Sequence, residues 1–94
     1  VLALLHHIPN ERQCTPRQGA KLKRMGVKSG VPDLFLPAPR GAYHGLYLEM
    51  KAENGRTSDN QNWWLKNLEG VGYHCKVCHG WKEAVQEMER YLNL

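Results

Sequence analysis

No apolar run in this 94-residue chain is long enough to cross a bilayer. The opening stretch, VLALLHHIP, falls far short of the roughly 20 residues that a transmembrane helix needs. It also lacks the basic start and small-residue cleavage site of a secretory signal. The expectation is a soluble, intracellular protein with no membrane partner. Cysteine is scarce as well: three residues, with no export signal, do not make a disulfide framework. Repeats, low-complexity tracts and linkers are missing, and the length suits one domain with one modest core. What is present argues for a folded globule, since 41% of the residues are apolar. The first residue is Val rather than Met, which is the expectation for a fragment or a processed chain.

One absence is local. From Arg12 to Pro32 there is no acid, while Arg12, Arg17, Lys21, Lys23, Arg24 and Lys28 all fall there. Much of the formal net charge of +4 is thus concentrated in one segment. Such a segment attracts a polyanion by releasing counterions from its phosphates, although a solvated helix face has the same composition.

The segment CKVCHG has the spacing of a haem-attachment site, with Cys75, Cys78 and His79; with His74 the same residues could suggest zinc. Haem attachment needs an exported chain, and a zinc site wants a second ligand pair, whereas only Cys14 and scattered histidines remain. The simpler reading is a strand that leads into the next helix. Its two cysteines, three residues apart, then point to opposite faces.

The remaining elements follow from punctuation and period. LALLHHIP reads as the end of a helix entering a short strand. Thr15 and Pro16 open a short basic helix that stops at Gly26. Two strands are expected over Leu34–Pro37 and Leu46–Lys51. Ser58, with Gln61 three residues on, is a capping-box pattern that opens a helix closing on Gly70, with Trp64, Leu65 and Leu68 as its buried stripe. Trp81, Ala84, Val85, Met88, Tyr91 and Leu92 recur at helical spacing and mark a last helix packed on the sheet. The fold class is α/β (mixed α+β), with a central mixed β-sheet flanked by helices.

The two strands in GVPDLFLPAPRGAYHGLYLEMKAENG carry charge where a strand buries apolar residues. Along LYLEMK, Leu46, Leu48 and Met50 share one face and Tyr47, Glu49 and Lys51 the other. A hairpin symmetric about Gly41 sets Asp33 opposite Glu49. Like charges across neighbouring strands are unfavourable unless a cation lies between them. Two carboxylates with water and a phosphate suit a hard octahedral ion, Mg²⁺ or Mn²⁺. Such an ion lowers the pKa of bound water, and Lys51 is placed to stabilise a phosphate as negative charge builds. The alternative reading pairs Lys51 with Glu49 as a half-exposed ion pair and leaves Asp33 as a turn acid.

Here the residues carry a likeness. Pro32-Asp33 followed by Glu49-Met50-Lys51 resembles the PD-(D/E)XK nucleases, and more narrowly the VRR-NUC family of virus-type replication and repair nucleases. Three successive blocks, GVKSGVPDLFLPAPRGAYHGLYLEMK, GRTSDNQNWWL and GYHCKVCHGWKEAV, are similar to that family in order, covering most of the chain from Ile8. The resemblance implies a restriction-endonuclease-like core in one domain, residues 1–94, with its N-terminal helix incomplete. It implies a metal-dependent nuclease in which Asp33, Glu49 and the Met50 backbone carbonyl hold Mg²⁺ or Mn²⁺. Lys51 is then the catalytic lysine, and Gln61 has a site role beside its capping role.

Members usually supply a further acid from an N-terminal helix; Glu11 is the only acid before Asp33. The resemblance also implies a homodimer that cuts branched DNA such as Holliday junctions or flaps, in the cytoplasm of a bacterial or phage-infected cell. Arg17, Lys21, Lys23, Arg24, Lys28 and Arg56 are the expected phosphate contacts, and Arg40 and Tyr43 are expected at a DNA or dimer surface. The competing class is a DNA-binding module whose catalysis is incomplete or supplied by a larger repair protein.

Overall fold

The computed structural model describes residues 1–9 and 29–94. The basic helix expected over residues 15–26, and with it Arg17, Lys21, Lys23, Arg24 and Lys28, lies outside the described residues, as do Glu11 and Cys14.

A single 3₁₀ turn, Leu2–Leu4, leads into strand β1, His6–His7. Strands β2, Leu34–Leu36, and β3, Leu46–Lys51, follow. Helix α1 spans Asp59–Gly70, strand β4 His74–His79 and helix α2 Trp81–Leu92. The four strands form one sheet in the order β1-β2-β3-β4. Its first two pairings are antiparallel and the third, β3 with β4, is parallel. The sheet is therefore mixed, with α1 supplying the crossover that a parallel return requires. Strand β2 stops one residue short of the expected Pro37, because proline has no N–H to extend the ladder.

Each strand of the β3/β4 pair has two different faces. Leu46 and Leu48 are completely buried on one, where they join Leu34, Leu36, Ala38 and Cys78 against Ala84, Met88 and Tyr91 of α2. Each fully buried leucine contributes about 1.5–3 kcal/mol by leaving water. The opposite face carries an aromatic cluster. Phe35 stacks on its cross-strand partner Tyr47 with ring centroids 4.3 Å apart, and Tyr73 meets Tyr47 edge-on at 5.3 Å.

Helix α2 is rotated from the expected stripe. Ala84, Met88 and Tyr91 are buried as expected and Leu92 is half-buried, but Trp81 and Val85 are 63% and 46% exposed. Glu87 is buried instead, between Ala84 and Tyr91. Its carboxylate is satisfied by His74 of β4, with Nε2 at 2.7 Å from Oε1, and by Arg90 at 3.4 Å. A hydrophobic count ranks Val85 above Glu87; the hydrogen bond to His74 reverses that order.

In α1 the expected buried stripe is only half-buried at Trp64, Leu65 and Leu68, and the residue fully inside is Gln61. The polar residue has partners there, so its burial is tolerated.

Cys75 and Cys78 fall on opposite faces of β4, as their spacing requires. Among the described residues no group of three or more His, Cys, Asp or Glu is arranged to hold a metal. Nor is any described helix long and apolar enough to cross a membrane.

Two predictions arise from this packing. Burial, helped by the nearby Glu69, pushes the Cys75 thiol up to about 12; burial, helped by Glu87 and Glu83, pushes that of Cys78 up to about 11. At pH 8 no more than about one thiol in a thousand is then the reactive thiolate. Peptide mapping after iodoacetamide treatment at pH 8 is expected to show both cysteines essentially unlabelled in the native protein and labelled in urea.

The Tyr91 hydroxyl donates to the buried Ala38 carbonyl at 2.7 Å. Tyr91→Phe leaves that acceptor unsatisfied and is expected to cost about 1–3 kcal/mol. Urea unfolding monitored by tryptophan fluorescence will read this as a lower midpoint at unchanged slope.

Candidate active site

The register of β2 on β3 decides where the acids meet. Leu36 pairs with Leu46, Phe35 with Tyr47 and Leu34 with Leu48, so one further step sets Asp33 opposite Glu49. Both are buried, Asp33 at 7% exposure and Glu49 at none. Asp33 Oδ2 accepts from the Met50 backbone N–H at 2.7 Å. Its own backbone carbonyl accepts from Ile8 N–H at 2.7 Å, which ties the residue to the end of β1 as well. In an extended strand a residue's N–H and C=O point to the same neighbour. The Met50 carbonyl is therefore directed to the side on which Asp33 lies.

The loop leading into Asp33 is docked on α1. Trp64 donates its indole N–H to the Ser29 carbonyl at 2.9 Å. Gly30 sits against Asn60 with a positive φ of 86°. A Cβ there would lie 2.8 Å from the Asn60 Cβ, so only glycine admits this approach. The half-buried Trp64 therefore holds the strand that delivers an acid, besides contributing its apolar body to the helix stripe.

Glu49 faces α1, where Gln61 meets it. Gln61 Nε2 donates to Glu49 Oε1 at 2.9 Å. Gln61 Oε1 accepts from the Lys51 ammonium at 2.8 Å and from the Ser58 backbone N–H at 2.8 Å. The reverse orientation of the amide would set its NH₂ against the ammonium and its oxygen against the carboxylate, so the three partners fix it. Ser58 Oγ in turn accepts from Gln61 N–H at 3.2 Å, which closes a capping box. The capping role and the contact with the acid are thus performed by the same side chain at once.

Lys51 also approaches Glu49 Oε1 at 3.4 Å, and only 11% of its side chain is exposed. Side chains on one face of a strand start roughly 7 Å apart, and here the length of both brings the charges together. The pairing is buried, unlike the half-exposed pair considered from sequence. A carboxylate with no exposure requires such partners.

Asp33, Glu49, Met50, Lys51 and Gln61 are therefore gathered in one place by β2, β3 and the first turn of α1. Arg56 lies in the loop between β3 and α1 and is exposed. Arg40 is held away from that loop: its Nε donates to the Leu92 carbonyl at 3.3 Å. Tyr43 packs near His74, with ring centroids 4.9 Å apart.

Two residues near the site escaped the sequence reading. Trp64 acts through its N–H, which no periodicity reports. His79 lies beside Lys51 in the parallel register of β3 and β4. Its location could have been read only by aligning the two strands.

The chemistry available here comes from an all-oxygen donor set. Two carboxylates reach it from facing strand positions, with a backbone carbonyl directed to the same side. Hard divalent cations take such ligands, and the set fits Mg²⁺ or Mn²⁺ better than a thiophilic metal.

No curated protein matches this chain. The VRR-NUC domain model matches residues 4–82. A solved structure of a VRR_NUC domain protein superposes with a TM-score of 0.84 at 35% identity, covering 98% of this chain and 70% of that one. The model takes in both strands of the acid pair, Lys51 and Gln61, and by that match the chain belongs to the VRR-NUC family, a nuclease-type DNA-processing domain.

Proposed function

We propose that this chain is a Mg²⁺- or Mn²⁺-dependent endonuclease that cuts branched DNA, such as a four-way junction or flap, as a homodimer in the cytoplasm. The observation that carries the metal dependence is the meeting of Asp33 and Glu49 on facing strand positions, with Lys51 bound to Glu49.

Asp33, Glu49 and the Met50 carbonyl would hold the cation. Bound there, the ion supplies charge neutralisation at a phosphate and a more acidic water. The chain's own groups do the rest. Lys51 presents a buried ammonium to the phosphoryl oxygen on which charge builds. Gln61 holds both that ammonium and the Glu49 carboxylate by hydrogen bonds, so neither needs to reorganise when substrate arrives. Arg56, exposed on the loop after β3, contacts the phosphate backbone and carries no sequence information. Arg17, Lys21, Lys23, Arg24 and Lys28 are assigned further phosphate contacts on their charge.

Branched DNA and the dimer rest on mechanical reasoning. A chain with one site cuts one strand, and a two-fold dimer presents two sites to a two-fold junction.

Labelled four-way junction, flap and plain duplex, incubated with Mg²⁺, Mn²⁺ or EDTA, provide the test. Wild type is expected to cut the branched substrates with either metal and not with EDTA. Lys51→Ala is expected to slow cutting by at least about 10³-fold while DNA binding changes by less than about threefold. Cutting by Lys51→Ala at the wild-type rate, or cutting in EDTA, overturns the catalytic assignment. Binding with a steep salt dependence but no metal-dependent product indicates the DNA-binding module instead.

Metal occupancy has its own readout. Mn²⁺ is expected to broaden the NMR signals of β3 in wild type. The effect should weaken at least about tenfold in apparent affinity in Glu49→Gln, because one anionic ligand is lost.

A further inference from the structure

We propose that His79, which belongs to the misleading CKVCHG segment, is a positioning residue for the active site. It would hold the loop between β3 and α1 so that Lys51 and Gln61 sit against Glu49. The catalytic part of this inference rests on the nuclease reading above; the structural part does not.

Strand register places it there. In the parallel ladder, Glu49 pairs with Val77 and Lys51 with His79, so the imidazole emerges on the Lys51 side of the sheet. Its backbone is fixed first. Helix α2 is capped by Gly80, whose lack of a side chain leaves the helix without an N-cap oxygen. Glu83, in the first turn of that helix, accepts from the His79 N–H at 2.9 Å. With its backbone held, the ring reaches across to the loop, where Nε2 lies 3.1 Å from the Gly55 carbonyl.

A carbonyl only accepts, so the proton must be on Nε2. Both the neutral ring in that tautomer and the protonated ring carry it. The contact therefore survives a change of protonation.

What Gly55 does makes the contact matter. The loop turns back on itself, with Gly55 N–H donating to the Ala52 carbonyl at 2.9 Å. A Cβ on Gly55 would come within 3.3 Å of the Lys51 Cβ and 3.2 Å of the Ala52 oxygen. Gly55 thus rests directly on the base of the Lys51 side chain. Three residues later the same loop delivers the Ser58 N–H to Gln61 Oε1, the atom that also receives the Lys51 ammonium.

Ala52, Glu53, Asn54 and Arg56 are exposed, so apolar burial does little to hold this loop in place. Polar ties must do so: Thr57 Oγ1 to Asn62 Oδ1 at 2.6 Å at one end, and His79 to Gly55 in the middle. Loss of the middle tie loosens Lys51 from its base and Ser58 from Gln61 together.

Amide hydrogen exchange on His79→Leu, His79→Ser and His79→Gln tests the tie without any reference to cleavage. In the Leu and Ser variants, Gly55 and Ser58 amides are expected to exchange at least about tenfold faster, while β3 and β4 amides keep wild-type protection. Glutamine retains an N–H donor of similar reach and is expected to restore slow exchange. Unchanged exchange at Gly55 and Ser58 in both Leu and Ser variants overturns the proposal, as does a failure of Gln to restore protection.

Cleavage kinetics then test the consequence. The Leu variant is expected to lose about tenfold in kcat with KM changed by less than about threefold, and Gln to recover most of it. Faster exchange with wild-type kcat would leave His79 a structural tie and remove its positioning role. An inactive wild type that still shows the exchange pattern would refute the nuclease reading while sustaining the tie.

Discussion

A carboxylate with no solvent exposure on the face of a β-sheet is the constraint around which this domain is arranged. Charge taken out of water has to be met by donors at close range, or the group reverts to its neutral form or the site opens. Glu49 is met by a glutamine amide and a lysine ammonium that also bind each other. The requirement propagates outward. Gln61 can reach Glu49 only if α1 starts where it does, and α1 starts there because the same glutamine closes the capping box with Ser58. Local helix initiation and the burial of a charge therefore depend on one side chain, whose amide has one permissible orientation. The loop connecting β3 to α1 inherits the same constraint, since it must deliver the Ser58 N–H to that amide.

The two faces of β3 solve different problems with alternate residues. Leu46 and Leu48 are fully buried against α2 and supply burial energy. Tyr47 and Glu49 point the other way, and the aromatic cluster of Phe35, Tyr47 and Tyr73 occupies that face next to the acid. Burial pushes the Tyr47 hydroxyl above its ordinary value, aided by the neighbouring Tyr73 and Cys75. The acid pair thus sits at the end of an apolar patch, where water is partly excluded and every remaining electrostatic contact is strengthened. A one-residue slip of β3 would exchange the two sets of side chains, burying Glu49 in the leucine core and exposing Leu48. Register is therefore enforced from both sides of the sheet.

How far this could be read in the sequence depended on whether a residue's location follows from local pattern. The facing of Asp33 and Glu49 was legible because the β2/β3 ladder is centred on Gly41, so one step beyond the Leu34–Leu48 pair brings the two acids opposite each other; the tip of the connection, where Arg40 bridges Tyr43, is offset by one residue without changing that register. The capping box was legible because its spacing is fixed by helix geometry. The last helix was read with the right period, and Ala84, Met88 and Tyr91 are buried as expected, but one edge of its stripe was misplaced. Apolarity favoured Trp81 and Val85, whereas the position facing the sheet holds Glu87, made acceptable by His74 from a strand thirteen residues earlier. Trp64 was read as an apolar stripe residue, yet its N–H anchors the loop before Asp33 across a separation of 35 residues. Such contacts are tertiary, and no window along the chain contains both partners. His79 shows the same limit: within its own segment it resembles a metal or haem ligand, and only the β3/β4 register sets it beside Lys51.

The arrangement around Glu49 also bears on how a site of this kind is ready before a cation or a phosphate reaches it. A divalent cation held between Asp33 and Glu49 would add positive charge where a phosphodiester has to approach. For that charge to be useful the acids must not swing to follow the ion. Asp33 accepts from a main-chain N–H of the neighbouring strand, and Glu49 from a glutamine that is itself locked in a capping box, so both contacts are tied to secondary structure. The cost of holding like charges close together has therefore been met during folding, by the same hydrogen bonds that define the hairpin and start the helix. A site so built gains its rigidity from the elements that carry it, and a substitution that spares the acids but disturbs Gln61, Gly30 or Trp64 acts on their spacing all the same.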